Sequence, residues 1–258
     1  MIIDTHIHLD DTRYDEDLNE VLNRAREGGV ECFIIPGADS STLARAISIA
    51  EEHTDVYFSV GIHPYDKEQF DSLEFEKYVH HDKCVAIGEC GLDYFRLEGS
   101  DEEKVIEKDE QKRVFVAQIE LAKKYKKPLI VHVRDASSDS KELLLKHGAS
   151  EFGGVLHCYN ADHELLSLAN NGFYFGIGGV LTFKNAKKLV NALPLIPKQK
   201  LIIETDGPYL TPTPHRGERN EPFYTTFVAE KMSELLQIPR EEIEQMTTRN
   251  AQKLFNIL

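Results

Sequence analysis

The stretch Met1-Ile-Ile-Asp-Thr-His-Ile-His8 opens the chain with an apolar run that ends in two histidines. Successive side chains of a β-strand point to opposite faces, so we expect His6 and His8 on one face, about 6 to 7 Å apart along the strand. Two imidazoles placed in this way can chelate a metal ion. Because 11 histidines in 258 residues also produce such a pair by chance, its meaning depends on what accompanies it.

The same arrangement, a short β-rich apolar run that ends in a polar residue, recurs along the whole chain. Helical periodicity separates the runs, as in the segment from Leu18 to Ala25 that precedes Gly28 and Gly29. Continuous apolar strands are typical of a parallel sheet covered on both faces, and eight strand–helix units predict a (β/α)₈ TIM barrel. The predicted strands are Ile2–His8, Glu31–Pro36, Val56–His63, Val85–Glu89, Leu129–Arg134, Val155–Tyr159, Phe173–Gly178 and Leu201–Asp206.

A doubly wound open sheet is the alternative α/β architecture. Its dinucleotide-binding form requires a Gly-x-Gly-x-x-Gly turn after the first strand, and this chain has none there. The tail from Pro239 to Leu258 predicts an additional C-terminal helix beyond the eight units. Because no repeat or low-complexity linker divides the chain, we expect a single domain over residues 1–258.

Composition limits the classes of function. The formal charge is −14, from 44 acidic and 30 basic residues, which argues against a broad nucleic-acid-binding surface and requires any polyanion to be held locally. No apolar run approaches the roughly 18 residues of a membrane span, so we expect no membrane contact. The four cysteines form no Cys-x-x-Cys motif, which favours reduced thiols in a cytoplasmic protein. The oligomeric state is left open, and a monomer is plausible.

The polar residues that end the predicted strands form an unusual set. Active-site residues of TIM barrels lie at the carboxyl ends of the strands, so these side chains are expected to converge at one mouth. The apolar residues Ile87, Ile130 and Val155 each stand two positions before one of these polar residues. Because side chains alternate along a strand, we expect all three to face the barrel interior together with the polar residues that follow them. The candidate metal ligands at the strand ends are His6, His8, Glu89, His132, His157 and Asp206.

Six ligands exceed what one catalytic zinc ion uses, so the set predicts two divalent metal cations. We expect Glu89 to bridge them, with His6, His8 and Asp206 on one ion and His132 and His157 on the other. Ligation by nitrogen and oxygen suits Zn²⁺ or Mn²⁺, while Mg²⁺ prefers all-oxygen shells, and the sequence leaves the choice among these three ions open. A pair of such ions favours hydrolysis by an activated water.

Seven motifs follow one another along the chain: Asp4-Thr-His-Ile-His-Leu9, Gly61-Ile-His-Pro64, Ile87-Gly-Glu-Cys-Gly-Leu-Asp-Tyr94, Val131-His-Val-Arg-Asp135, Leu156-His-Cys-Tyr159, Glu204-Thr-Asp-Gly-Pro-Tyr-Leu210 and Arg216-Gly-Glu-Arg-Asn-Glu-Pro222. In this order, and over nearly the whole chain, they resemble the TatD family of metal-dependent deoxyribonucleases. The resemblance implies a TIM barrel of the amidohydrolase superfamily with a binuclear centre at the same six positions, Glu89 included, and with Asp206 as the candidate general base. It also implies 3′-to-5′ exonuclease action on DNA ends, with D-aminoacyl-tRNA as a second substrate class.

This chain departs from the family pattern at a few positions. Tyr65 stands where many relatives carry a second histidine after the Gly-Ile-His-Pro motif, so any role of that imidazole is in doubt here. Cys90 and Gly207 also differ from the usual residues, and both flank ligands without replacing one. The segment from Arg96 to Lys108 is long and charged, and we expect a solvated insertion between strand 4 and its helix.

Further residues are candidates for contacts with substrate or with the ligands. We expect Glu204, which has the parity of Asp206, to accept a hydrogen bond from a ligand histidine. The basic runs at 123–127 and 184–188 are expected to be solvated helix faces that take no part in binding. The candidates for substrate binding are His63, Arg134, Arg216 and Arg219.

The function that the sequence favours is a divalent-metal-dependent hydrolase that cleaves phosphodiester bonds from a 3′ end. One alternative is a related hydrolase of esters or amides, such as a D-aminoacyl-tRNA deacylase. A second alternative, from a different class, is a catalytically inert metal-binding barrel. The intact set of six ligand-type residues argues against the inert barrel.

Overall fold

The computed structural model describes residues 1–257, in which eight parallel strands form one sheet in chain order from β1 to β8. The sheet curls until β8 meets β1, where Thr5 N donates to Ile203 O at 3.2 Å and Asp206 N donates to His6 O at 2.9 Å. The predicted TIM barrel is therefore confirmed. The strands are β1 Ile2–Asp4, β2 Val30–Ile35, β3 Val56–Val60, β4 Cys84–Asp93, β5 Leu129–Arg134, β6 Gly154–Leu156, β7 Phe173–Ile177 and β8 Leu201–Ile203.

Helices surround the barrel and leave its carboxyl-terminal mouth to the loops. Most of the apolar residues lie between strands and helices in one large cluster, and a second cluster fills the inside of the barrel. The helices are α1 Leu18–Glu27, α2 Leu43–Glu52, α3 Ser72–Tyr78, α4 Asp101–Tyr125, α5 Ser137–Lys146, α6 His163–Leu166, α7 Lys187–Ala192, α8 Thr225–Leu236 and α9 Arg240–Phe255, with short 3₁₀ turns between them.

The additional C-terminal helix is α9, which closes the amino-terminal end of the barrel. Phe255 and Ile257 pack in the same cluster as the inward-facing Ile3, Ile34 and Ile202. The predicted end of this helix at Leu258 lies outside the described residues. The assignment of residues 1–258 to one domain stays a prediction.

Four strands end three or four residues earlier than the sequence suggests. β1, β3, β6 and β8 stop before the ligand-type residues, so His6, His8, His157 and Asp206 lie in the segments that follow the strands. A backbone that leaves the sheet is free to turn its side chains toward a common centre. Asp206, at φ 59°, has the left-handed conformation that aspartate tolerates better than most residues.

The alternation expected for strand 4 is wrong at Ile87. This residue packs in the outer cluster, whereas Val85 and Ala86 both belong to the inner one. The pairing of β4 with β5 shifts register between Ile87 and Cys90, and this irregularity turns Glu89 inward although Ile87 faces out. Ile130 and Val155 face the interior as expected.

The prediction of a solvated insertion from Arg96 to Lys108 is wrong from residue 101 onward. Those residues form the first turns of α4, although most of their side chains are exposed. The helix begins with a capping box, in which Glu103 N donates to Ser100 Oγ and Ser100 N donates to Glu103 Oε2.

All four cysteines are free thiols. Within residues 1–257, no helix has both the length and the apolarity that crossing a bilayer demands.

Candidate metal centre

Glu89 lies at the middle of the barrel mouth, with imidazoles on both sides of its carboxylate. Its Oε2 atom is 3.2 Å from His6 Nε2 and 3.9 Å from His8 Nε2. Its Oε1 atom is 3.0 Å from both His132 Nδ1 and His157 Nε2. The two oxygens of one carboxylate thus face two separate pairs of histidines.

Asp206 completes the first side of the centre. Its Oδ1 atom lies 3.6 Å from His6 Nε2 and 3.6 Å from His8 Nε2. These three residues have ligand-type atoms close enough together to hold one cation. The group matches the predicted set of His6, His8 and Asp206.

The second side is built by His132 and His157, whose facing nitrogens are 3.2 Å apart. His63 stands beside them, with its Nε2 atom 3.8 Å from Glu89 Oε1 and its ring 4.4 Å from the His132 ring. The backbone N–H of Tyr65 donates to His63 Nδ1 at 3.2 Å. Because that nitrogen accepts, the proton of neutral His63 resides on Nε2, which points at the centre.

Sequence reasoning missed Asp93, which lies on the same strand as Glu89. Its Oδ2 atom is 2.9 Å from His132 Nε2, while His132 Nδ1 faces Glu89. A carboxylate in this position fixes the ring and the tautomer, so that Nδ1 is the nitrogen left for a metal. The available signal was parity, because Asp93 follows Glu89 by four residues within one of the quoted motifs.

Glu204 lies next to the candidate ligand His157 but is too far from it for the predicted hydrogen bond. Its Oε1 atom lies 3.7 Å from His157 Nδ1 and accepts the backbone N–H of Cys158. Its Oε2 atom has no hydrogen-bond partner and is buried. The carboxylate therefore orients the loop after β6 and adds negative charge beneath the ligand.

Hydrogen bonds between Asp4, in the first strand, and Thr205, just after the last strand, align the ligands that follow; we call this pair the clasp. The buried Asp4 carboxylate accepts from Thr205 N at 3.0 Å and from Thr205 Oγ1 at 2.6 Å. It also accepts the backbone N–H of His6 at 3.3 Å. Since Asp4 and Thr205 each lie within two residues of a ligand, the clasp sets how His6 and Asp206 face each other.

The charge balance of the centre fits a cation. Within residues 1–257, the ion pairs of Glu89 and Glu204 involve histidines alone, without lysine or arginine. Buried carboxylates normally require a positive partner. Both nitrogens of His6 are also buried without a hydrogen-bond partner, which is costly unless another group binds them. A set of nitrogen and oxygen donors with these two properties suits divalent metal ions.

Burial and mutual interactions shift the pKa values of these groups. Burial acts to raise the pKa of Glu89, but His157 and His6 outweigh it and hold that pKa well below its ordinary range. Burial acts to lower the pKa of His157, but Glu89 and Glu204 raise it well above normal. Burial also lowers the pKa of His63 to about 4, which leaves its ring neutral near neutral pH.

A pocket of about 680 Å³ opens beside this centre. Its lining includes His132, His157 and Asp206, together with the end of β5 and residues that follow β4, β6, β7 and β8. Arg134, a candidate for substrate binding, lines the pocket, with its guanidinium 3.6 Å from the centre of the Phe95 ring. The size is that of a site for a small molecule or for part of a polymer.

Arg216 and Arg219, two of the candidates for substrate binding, are not in the lining of this pocket, and their role stays a prediction. Arg216 donates to Thr211 O at 2.9 Å and stacks over Phe183. Arg219 donates to both carboxylate oxygens of Asp17 and to Glu221 Oε1 at 2.8 Å. Both terminal nitrogens of this guanidinium donate to protein acceptors, and two of these acceptors, Arg13 O and Asp17, are distant in the sequence.

Comparison with known proteins connects this centre to a family. The family model described as TatD related DNase matches residues 3–256. The chain is 42% identical over 261 residues to the uncharacterized metal-dependent hydrolase YabD of Bacillus subtilis, with 100% of both chains covered. It is 31% identical over 265 residues to the 3′-5′ ssDNA/RNA exonuclease TatD of Shigella flexneri, with 99% of each covered.

A solved structure shows the same architecture. The crystal structure of YJJV, a TatD homolog from Escherichia coli K12, superposes with a TM-score of 0.90 and 29% sequence identity. The alignment covers 100% of this chain and 98% of that one.

Proposed function

Because this chain belongs to the TatD-related DNase family and is a metal-dependent hydrolase, we propose that it removes nucleotides from the 3′ ends of single-stranded DNA or RNA. The relative from Shigella flexneri, named a 3′-5′ ssDNA/RNA exonuclease and aligned over 99% of both chains, supports this substrate class and polarity. The open pocket beside the centre supports a substrate that enters by its end. An acidic protein needs only a small cationic surface to hold one chain end.

The observation that carries the proposal is the position of Glu89. One of its oxygens faces His6 and His8, and the other faces His132 and His157. We infer that it bridges two divalent cations, one held with His6, His8 and Asp206 and the other with His132 and His157. Zn²⁺ and Mn²⁺ suit this nitrogen-rich set better than Mg²⁺.

The residues of the chain have separable roles in hydrolysis. When bound, the two cations supply positive charge for the phosphate and Lewis acidity that makes a water nucleophilic near neutral pH. Asp206 acts as the general base, since hydrogen bonding from His8 outweighs burial and lowers its pKa, so the carboxylate is free to accept a proton. His63 donates a hydrogen bond from Nε2 to the leaving oxygen, and Tyr65 N holds it in that tautomer.

The remaining features agree with an intracellular enzyme. The four free thiols suit a reducing compartment such as the cytoplasm. We propose that the protein acts there as a monomer, because the ligands of the centre all come from one chain.

The experiment is a metal titration of the metal-depleted protein against labelled single strands. Mn²⁺, Zn²⁺ and Mg²⁺ are added in turn, and cleavage of a 5′-labelled 20-mer is followed on a gel. The proposal predicts a ladder that shortens one nucleotide at a time from the 3′ end. A circular single strand of the same composition stays intact because it has no end.

Two variants and one alternative substrate make this experiment decisive. Asp206→Asn should lower the rate at least 100-fold, whereas Asp82→Asn should match the wild type, because this exposed aspartate precedes the amino end of β4, at the opposite end of the barrel from the centre. D-aminoacyl-tRNA is assayed in parallel. Hydrolysis of the acyl ester together with intact DNA and RNA strands would replace the nuclease proposal with the deacylase.

A further inference from the structure

One wall of the pocket beside the metal centre is strongly basic. Its lining includes the side chains of Arg96, Arg134, Lys187 and Lys188, and the only carboxylate in that lining is Asp206. In a chain with 44 acidic and 30 basic residues, four cations against one carboxylate is a local reversal of the overall charge. Asp206 faces His6 and His8, so it does not neutralise this wall.

These four cations are also free of protein carboxylates. Several other arginines of the chain are paired, as Arg26 is with Asp55 at 2.7 Å and Arg240 with Glu244 at 2.7 Å. Within residues 1–257, no carboxylate lies within 4.0 Å of the cationic groups of Arg96, Arg134, Lys187 or Lys188. Since carboxylates are abundant, cations that stay unpaired in a pocket are available to an anion that enters it.

The cations flank the centre from neighbouring loops. Arg96 follows β4 and Arg134 ends β5, while Lys187 and Lys188 begin α7 in the connection that follows β7. The strands lie side by side in this order, so the four side chains trace an arc around one half of the barrel mouth. An extended strand that reaches the centre across this half would pass along the arc.

The aromatic partners of the arginines hold them in place without consuming their donors. The Arg134 guanidinium lies 3.6 Å from the centre of the Phe95 ring, and Arg96 lies 5.6 Å from that of Tyr65. Stacking over a ring occupies the flat face of a guanidinium and leaves the N–H groups at its edge free to bind phosphate oxygens. Tyr65, which departs from the family pattern, thus has a contact of its own on this wall.

We propose that Arg96, Arg134, Lys187 and Lys188 form a second phosphate subsite, which binds the phosphodiester next to the one that is cleaved. The inference rests on the proposed nuclease function and assigns to the run at 184–188 a binding role that the sequence did not indicate. It follows that the enzyme prefers a strand with at least two phosphates to a substrate with only one.

A pair of minimal substrates tests the subsite. The dinucleotide TpT contains the scissile phosphodiester alone, whereas the trinucleotide TpTpT adds one neighbouring phosphate. The Mn²⁺-loaded wild type should show a kcat/KM for TpTpT at least tenfold above that for TpT. Lys187→Ala/Lys188→Ala should lose most of this preference, and Lys187→Glu/Lys188→Glu should lose all of it.

Salt dependence gives an independent readout. For single strands, the slope of log kcat/KM against log salt concentration changes by roughly 0.7 for each phosphate contact. The slope for a longer oligonucleotide should therefore become shallower in the double alanine variant. The control is Lys123→Ala/Lys124→Ala, at the C-terminal end of α4, which removes the same charge outside the pocket and should retain the wild-type preference and slope.

The outcomes separate the two proposals. If the wild type and all variants cleave with the same preference for TpTpT and the same salt dependence, the subsite is overturned and the nuclease function stands. A wild type that cleaves neither substrate nor longer strands would overturn the nuclease function and the subsite together. Loss of preference in the Lys187 and Lys188 variants alone supports the subsite.

Discussion

His132 is the residue at which the chemistry of the centre depends most on a neighbour. Its Nδ1 atom faces Glu89 at 3.0 Å and its Nε2 atom faces Asp93 at 2.9 Å. Burial acts to raise the pKa of Asp93, but the hydrogen bond with His132 outweighs it and lowers that pKa to about 2. The anionic carboxylate thus holds the imidazole in the orientation and tautomer that a metal ligand requires.

Asp93→Asn should weaken this support while the side chain keeps its size. We expect metal affinity or kcat/KM to fall by roughly 10- to 100-fold, the usual effect of losing a carboxylate behind a ligand histidine. Competition with a chromophoric chelator measures the affinity. Asp82→Asn serves again as control, and an Asp93→Asn protein that binds metal and turns over like the wild type would contradict the role.

At the scale of single residues, the convergence of the six candidate ligands could be predicted because the strand ends of a parallel barrel meet at one mouth. Asp93 was not identified because its role depends on which nitrogen of His132 faces inward, and sequence does not encode this directly. The ion pair of Arg219, a candidate for substrate binding, was not identified from the sequence either. Its partner Asp17 is some two hundred positions away, and only the closed barrel brings them together.

At the scale of elements, the strands could be located but their ends could not. Apolar runs marked all eight, yet β1 stops at Asp4 and β8 stops at Ile203, where the chain leaves the sheet to build the centre. The irregular pairing of β4 with β5 could not be predicted either, because the period-2 alternation of side chains assumes regular hydrogen bonding between strands. Both departures from regularity serve to aim the ligands.

The strand β7 contributes to the centre through a residue without a side chain. A Cβ atom on Gly176 would overlap the carboxylate of the buried Glu204, which is fixed by the N–H of Cys158. Gly176→Ala should therefore displace Glu204 from His157, lower kcat/KM about tenfold and destabilise the fold by about 1–3 kcal/mol. Enzyme kinetics and urea unfolding measure the two effects.

Gly178→Ala, just after the same strand, is the matched control. Its added Cβ would lie 3.5 Å from Glu204 Cγ, which is ordinary van der Waals contact. We expect wild-type kinetics for this variant. If both substitutions had the same effect, the close approach of Gly176 to Glu204 would not explain it.

At the scale of the whole molecule, the two ends of the barrel have different roles. The carboxyl end holds the polar centre, and the amino end is sealed by α9, whose Phe255 is only 3% exposed. Asn250 fastens this helix, since its amide donates to Leu201 O at 2.8 Å and to Lys198 O at 2.9 Å. The eight-unit pattern predicted the barrel and the extra helix, but not where that helix packs.

Phe255→Ala should destabilise the protein by about 3–5 kcal/mol, because it removes a buried ring from the inner cluster. Metal content and kcat/KM should stay close to wild type below the unfolding transition, since the change lies at the opposite end of the barrel. Leu195→Ala, at a residue that is 54% exposed, should shift stability by less than about 0.5 kcal/mol. A loss of metal in folded Phe255→Ala would contradict this separation of duties.

The centre built around Glu89 unites the three scales, and anomalous diffraction from crystals grown with Mn²⁺ tests it most directly. We expect two peaks about 3.5 to 4 Å apart, one on each side of the Glu89 carboxylate. One peak should lie near His6, His8 and Asp206, and the other near His132 and His157. A single peak in fully loaded crystals, or two peaks that do not share Glu89, would contradict the bridged pair.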